Sequence, residues 1–300
     1  MRRRHRQYWV LQLIVVLMLF ITLGILANNL LINLARINLG VTFTWLLQPA
    51  GFALAEHVIP YSPSDSYFRA LVVGWLNSLR VVVAALIMAT LLGVLAGTAR
   101  QSNNKLLRIL AASYVALIRQ IPLLLQLLFW YFVTFLGVNN TLLAPLGNFI
   151  MFSKKGVSLL NVQVSVEFSA LLVGLSIFTG AAIAEVVRGG IEAVPQGQWE
   201  ACYSLGLPGG FSMRRVIIPQ ALPAIIPALT SQYLNLAKNS TMAIAVGYAD
   251  LYAVGDTVIT QTGRAIEGFL MLLLSFLLLN LVISRTMAFL NALVIRKTVG

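Results

Sequence analysis

The sequence predicts an all-α membrane protein with about six transmembrane helices and both termini cytoplasmic. Hydrophobic residues make up 59% of the 300-residue chain and charged residues only 10%, far below the roughly one-quarter charged share of a soluble domain. Several apolar stretches reach the roughly 20 residues that cross a bilayer. Arginine and lysine cluster between alternate stretches, as positive-inside topology requires. The net charge of +12 is therefore read as topology. No basic run with interleaved aromatics points to nucleic acid.

Taken in order, Arg2, Arg3, Arg4 and Arg6 form a basic, cytoplasmic tail. A first span runs from about Tyr8 to Leu31 and is retained, because no clear small-residue cleavage site follows it. Residues Asn33 to Phe68 are external, with a partial helical stripe at Phe52, Leu54, Ala55, Val58 and Ile59 that can lie along the membrane face. The second span covers about Ala70 to Thr98, with Arg80 near its outer end and able to snorkel. Arg100, Lys105, Arg108 and Arg119 mark a cytoplasmic segment whose stripe of Leu106, Leu107, Leu110, Tyr114 and Leu117 predicts a helix packed on the inner face.

Pro122 opens a third span, to about Gly137, rich in aromatics at Phe129, Trp130, Tyr131 and Phe132. Asn139 to Glu167 is external. The fourth span runs from about Phe168 to Val187, and Glu185 and Arg188 at its inner end are placed to pair. The fifth span starts near Pro219, with Pro223 and Pro227 following at one-turn intervals to kink it. Ala249 to Glu267 lies outside. The sixth span runs from about Gly268 to Ser284, and Arg285, Arg296 and Lys297 close the chain inside. The organisation divides into 1–68 (tail, first span and external segment) and 69–300 (a core with a cytoplasmic loop at about 189–218).

Enzyme chemistry is missing from the pattern. None of the lysines follows a glycine, so there is no phosphate-loop Gly-Lys pair. Two histidines and one cysteine do not make a usual zinc site. The expectation is no catalytic residue, no metal and no cofactor held by this chain. An ionisable group inside a membrane is a functional-site candidate by default, and Lys238 fits, about 20 residues past Pro219 at ~1.5 Å each. It either faces a pathway or reaches the outer interface. Asn239, Ser240 and Thr241 either line that pathway or bond between helices. Asn77, Gln120 and Gln126 are further polar candidates, best explained as interhelical bonds.

The most distinctive stretch is Glu200-Ala201-Cys202-Tyr203-Ser204-Leu205-Gly206, followed by Val216-Ile217-Ile218-Pro219. Pro195 suits a helix start. Gly206 with Pro208 beyond it suits a helix stop. Leu207-Pro208-Gly209-Gly210 reads as a turn, and Ser212 as the cap of the next helix. This stretch resembles the EAA loop of bacterial ABC-importer permeases: Glu200, Ala201, Gly206 and Pro219 match its spacing, with Cys202 in place of the second alanine. Gly74-Trp75-Leu76-Asn77-Ser78-Leu79, Arg119-Gln120-Ile121-Pro122, Glu185-Val186-Val187-Arg188-Gly189-Gly190 and Leu236-Ala237-Lys238-Asn239-Ser240-Thr241 resemble the polar amino-acid uptake group, of histidine, glutamine, arginine or general L-amino-acid type. Many members carry Lys-Asp-Thr-Ser where this chain has Lys238-Asn239-Ser240-Thr241.

The resemblance implies a type I ABC-importer permease fold in the bacterial inner membrane. It implies a second permease subunit (hetero- more than homodimer), two ATPase subunits that hold ATP and Mg, and a solute-binding protein. Glu200, Ala201, Cys202, Gly206 and Pro219 would couple to the ATPase, the two small residues allowing close approach. The alternatives are an ion-gradient-driven secondary transporter, or a partner permease that binds no ligand itself.

Overall fold

A computed structural model of the chain describes residues 2–36, 40–137, 150–153, 156–159 and 162–299. Two compact units divide at Trp45 and Leu46. The first contains α1 (Arg2–Arg36), whose 20 residues Leu11–Leu30 are strongly apolar on average and long enough to span. The second holds the remaining helices: α2 (Tyr67–Ala99), α3 (Lys105–Gln120), α4 (Leu123–Leu128), α5 (Val166–Glu192), α6 (Gln196–Ser204), α7 (Gly209–Ser212), α8 (Ile218–Asn239), α9 (Leu251–Thr262) and α10 (Ala265–Val299). Four helices are long and apolar enough to cross a membrane, and two bent pairs raise the number to six.

At the centre is α5, sixteen of whose 27 residues are buried. Ser165 caps it, accepting from the Phe168 N–H at 3.0 Å. Against it lies α2, through small residues one turn apart: Ala85, Ala89, Gly93 and Gly97. A Cβ on Gly93 would stand 2.4 Å from Ile183 Cγ2, and one on Gly97 2.7 Å from Val187 Cβ. Lipid supplies no hydrophobic drive between helices, so close backbone approach is how they hold. The opposite face of α2 exposes Val83, Ile87, Leu91 and Leu95.

Several parts differ from the sequence reading or add to it. Residues 48–66 form no helix. Ala50 N–H donates to Asp65 O at 2.8 Å and Gly51 N–H to Pro63 O at 2.9 Å, so the strap closes on itself. Its side chains alternate, Phe52, Leu54 and Glu56 turning inward, which is the period of extended chain. Arg80 does not snorkel: its guanidinium lies 3.7 Å from Glu56 Oε2 and 4.2 Å from the centre of the Phe168 ring. Burial first, and then nearby Asp65, holds the Tyr61 hydroxyl above the ordinary tyrosine range, so it remains a donor to Phe52 O at 2.9 Å.

The α3 stripe is also reversed. Leu106, Leu107, Leu110 and Leu117 are exposed, and the protein side is Ala111 and Val115, with Tyr114 and Ile118 packed behind. A sharp bend of 105° then leads to α4 and a π-helical turn, Phe129–Phe135. Pro122 causes it, having no N–H for the Ile118 carbonyl. Buried Gln126 substitutes, donating Nε2 to Ile118 O and Ile121 O, both at 2.9 Å. The expected third span is thus six residues of α4 and seven of π turn, too few to cross alone.

Within the expected outer segment, 138–149 lie outside the described residues. Beyond them Ile150–Ser153, Gly156–Leu159 and Val162–Val164 form a three-stranded antiparallel sheet, β1-β2-β3, the one sheet among the described residues. Finally, 249–267, for which the sequence reading named no element, is mostly helical. Residues 251–262 are helical as α9, bent 57° from the helix before it and packed on α2. Gly74 permits this, with Leu251 Cα only 3.1 Å from where its Cβ would be.

Candidate functional site

At one end of the bundle α5 gives way to the loop that carries α6. Pro195 is its N-cap. Its C-terminus closes as the sequence predicts: Gly206 has φ 65°, Gly206 N–H donates to Tyr203 O at 2.9 Å, and Leu207 N–H to Cys202 O at 3.1 Å. These are the two bonds of a Schellman stop. The next helix starts earlier than predicted. Pro208 is the N-cap and Gly209 and Gly210 are already helical, while Ser212 is inside, its Oγ donating to Pro208 O at 3.2 Å. A π turn, Met213–Ile217, joins α7 to α8.

The sequence-derived coupling residues sit differently from one another. Glu200 and Ala201 are exposed, with Glu200 accepting from Gln196 Nε2 at 2.9 Å. Cys202 is buried and offers nothing to a partner's surface; its small size serves packing inside the loop. Gly206 is exposed and Pro219 half-buried. The composition pattern did not mark Tyr203, Leu205 and Phe211, yet they are 73%, 74% and 51% exposed. Three large apolar side chains are thus exposed on the same loop as Glu200.

Beneath the loop, α2, α3 and α5 are tied by charge. Glu185 Oε2 accepts from Arg188 Nε at 2.9 Å, Arg100 donates to Glu185 Oε1, and Arg119 lies 3.8 Å away. Arg188 also pairs with Glu192, which accepts from Gln101 Nε2 at 3.0 Å. The sequence suggested a Glu185–Arg188 pair; the fold adds partners from two other helices.

From the loop, α8 runs to the far end. Its exposed residues are Gln220, Ala224, Pro227, Ser231, Asn235 and Lys238, a single stripe at helical spacing. No large hydrophobic side chain of α8 is exposed. Within 269–282 of α10, by contrast, the exposed positions are all leucine, valine or phenylalanine, such as Phe269, Leu273, Leu277 and Leu281. A spanning helix with a small and polar outer face is unsuited to lipid. Pro227 adds to this, because it leaves the Pro223 carbonyl without its helical donor.

Lys238 is exposed at the end of this stripe. Asn239 and Thr241 are half-buried, and buried Ser240 donates to Ala237 O at 2.9 Å, starting a 3-10 segment, Ser240–Val246. Asn77 is buried elsewhere, its Nδ2 donating to Glu56 O at 3.0 Å and Ala249 O at 2.8 Å. Gln126 is spent at the α3–α4 bend, and Gln120 is exposed at the end of α3. The fold therefore leaves Lys238 on the polar face of α8 and assigns Asn77 and Gln126 to backbone bonds.

Residues 89–296, more than half of the chain, match the family described as binding-protein-dependent transport system inner membrane component. The chain is 34% identical to the putative amino-acid ABC transporter permease protein YhdX of Escherichia coli (strain K12), over 94% of this chain and 93% of that one. It is 35% identical to the general L-amino acid transport system permease protein AapQ of Rhizobium johnstonii, over 89% and 86%. Among solved structures, it is similar to a chain of an amino acid ABC transporter with histidines (29% identity, TM-score 0.61, covering 75% of this chain and 94% of that one). In fold it also matches a chain of the inward-facing MetNI methionine ABC transporter (21% identity, TM-score 0.60, covering 75% and 96%). An ion-gradient-driven mechanism falls away with these likenesses. The chain belongs to the binding-protein-dependent transport system inner membrane component family and is an ABC-importer permease of the bacterial inner membrane, with the type I fold.

Proposed function

We propose that this permease forms half of a pathway for amino acids and is driven through its exposed α6 loop by a separate ATPase. The observation that carries the reading is the stripe on α8: polar and small residues face out of a membrane-crossing helix, and a second permease enclosing water is what such a face fits. The relatives named for amino-acid transport support the substrate class. One partner is a second, different permease. Two ATPase subunits with ATP and Mg lie under Glu200, Ala201, Tyr203 and Leu205, and a solute-binding protein lies at the opposite end. In the bound state ATP closure moves α6 as a rigid body and α8 follows, which is alternating access by displacement of one helix against its neighbours. Lys238 would then meet substrate.

Purification with neighbouring gene products and an amino-acid-stimulated ATPase assay test this. Glu200→Lys is expected to lower stimulated activity by about tenfold or more, since one lost charge-assisted contact is worth that much, while the subunits still reach the membrane. Stimulation at the wild-type level would remove the docking role. Lys238→Ala should alter KM or selectivity. Unchanged kinetics would return Lys238 to the interface.

A further inference from the structure

A cavity of about 300 Å³ opens between α2, α3 and α5 near the α6 end, and transport does not call for it. Its polar lining is Arg100, Arg119, Gln120 and Glu185. Its floor is small, with Ala112 and Ala116 turned toward it from α3. Around it stand three guanidinium groups, Arg100, Arg119 and Arg188, against two carboxylates, Glu185 and Glu192. Arg100 and Arg188 are hydrogen-bonded to those carboxylates. Arg119 is not. It approaches Glu185 only to 3.8 Å, and its side chain is 56% exposed. Its forked donors are therefore unspent, and the Gln120 amide beside it is exposed too.

The surroundings of the mouth narrow the ligand. Leu117, one helical turn before the lining residue Gln120, is exposed, as are Ile121 and Leu124 just beyond it, so an apolar surface borders the cationic opening. Lys105 and Arg108 are exposed on the same helix and add attraction for an anionic surface. A ligand with an anionic phosphate at one end and hydrocarbon at the other satisfies both parts. A free phosphate would use the arginine but leave the leucines uncovered, and an exposed arginine alone holds a soluble anion weakly in salt.

We infer that this cavity binds the phosphate of an anionic phospholipid from the adjoining leaflet, with Arg119 and Gln120 as its donors. The site is independent of the substrate reading above. The test is native mass spectrometry of the intact, delipidated transporter titrated with phosphatidylglycerol, with phosphatidylcholine, and with inorganic phosphate as competitor. Wild-type protein should keep phosphatidylglycerol in preference to phosphatidylcholine. Arg119→Gln should lose about tenfold in retention, the worth of a charged hydrogen bond. Arg119→Lys should recover part of it, and Arg108→Gln, which lies off the cavity and removes only general attraction, should lose less than Arg119→Gln. Arg119 is exposed and makes no hydrogen bond among the described residues, so these variants fold. Equal retention in wild type and Arg119→Gln, or equal retention of the two lipids, overturns the inference. So does full displacement by inorganic phosphate, which would assign the cavity to a soluble anion.

Discussion

Single polar side chains are fixed in this permease by backbone groups that would otherwise be orphaned. Gln126 replaces the donor that Pro122 lacks. Asn77 fastens the 48–66 strap and the start of α9 to α2 through Glu56 O and Ala249 O. Tyr248 and Ser78 bind the same junction, with Tyr248 Oη donating to Asn77 O at 3.3 Å and Leu251 N–H to Ser78 Oγ at 2.9 Å. Asn77→Leu removes two donors and leaves both carbonyls short, at ~1–3 kcal/mol each for buried groups. The expected outcome is a Tm lower by several degrees and faster proteolysis within 48–66, with the α6 loop intact; an unchanged melting curve would show that the junction is held elsewhere.

Among helices, the decisive contact is between α2 and α5, where glycines admit Ile183 and Val187. Gly93→Leu has no room, because even a Cβ would be 2.4 Å from Ile183 Cγ2 and 2.9 Å from the Gly180 carbonyl. Overpacking costs about 1–3 kcal/mol where neighbours can shift, and more against a backbone carbonyl. We expect loss of folded protein in detergent, measured by size-exclusion recovery. Val83→Leu, on the exposed side of the same helix, should behave as wild type. Here the sequence is a good guide to which faces are small but a poor one to which faces are inside. The α3 leucines read as a packing stripe and turn outward, because in a membrane lipid covers leucine as well as protein does.

Over the whole molecule, charge joins elements far apart in the chain. Glu185 collects arginines from three helices, and its side chain is 24% exposed. Glu185→Gln takes from partly buried Arg100 the carboxylate it is hydrogen-bonded to, leaving Glu192 of α5 as a more distant counter-charge. Breaking one side of a buried pair costs roughly 3–5 kcal/mol, and partial exposure reduces that here. A loss of thermal stability of the assembled transporter, larger at low than at high salt, is the expected result; salt-independent stability equal to wild type would show that the cluster is not a tie.

Much was legible in the chain itself. Apolar length determined the helices and their membrane setting, because a bilayer demands about 20 residues whatever their neighbours. Local chemistry determined the α6 stop at Gly206, because only the backbone within one turn decides a Schellman closure. Spacing at Glu200, Ala201, Gly206 and Pro219 determined the family. Tertiary structure alone decided which face of each helix meets lipid, protein or a polar pathway: it exposed Tyr203 and Leu205, hid Cys202, gave Arg80 to Glu56 and Phe168, and left α8 with its polar stripe uncovered. Those outcomes depend on neighbours brought together from distant parts of the chain, and in a membrane composition does not tell an apolar face that packs from one that meets lipid.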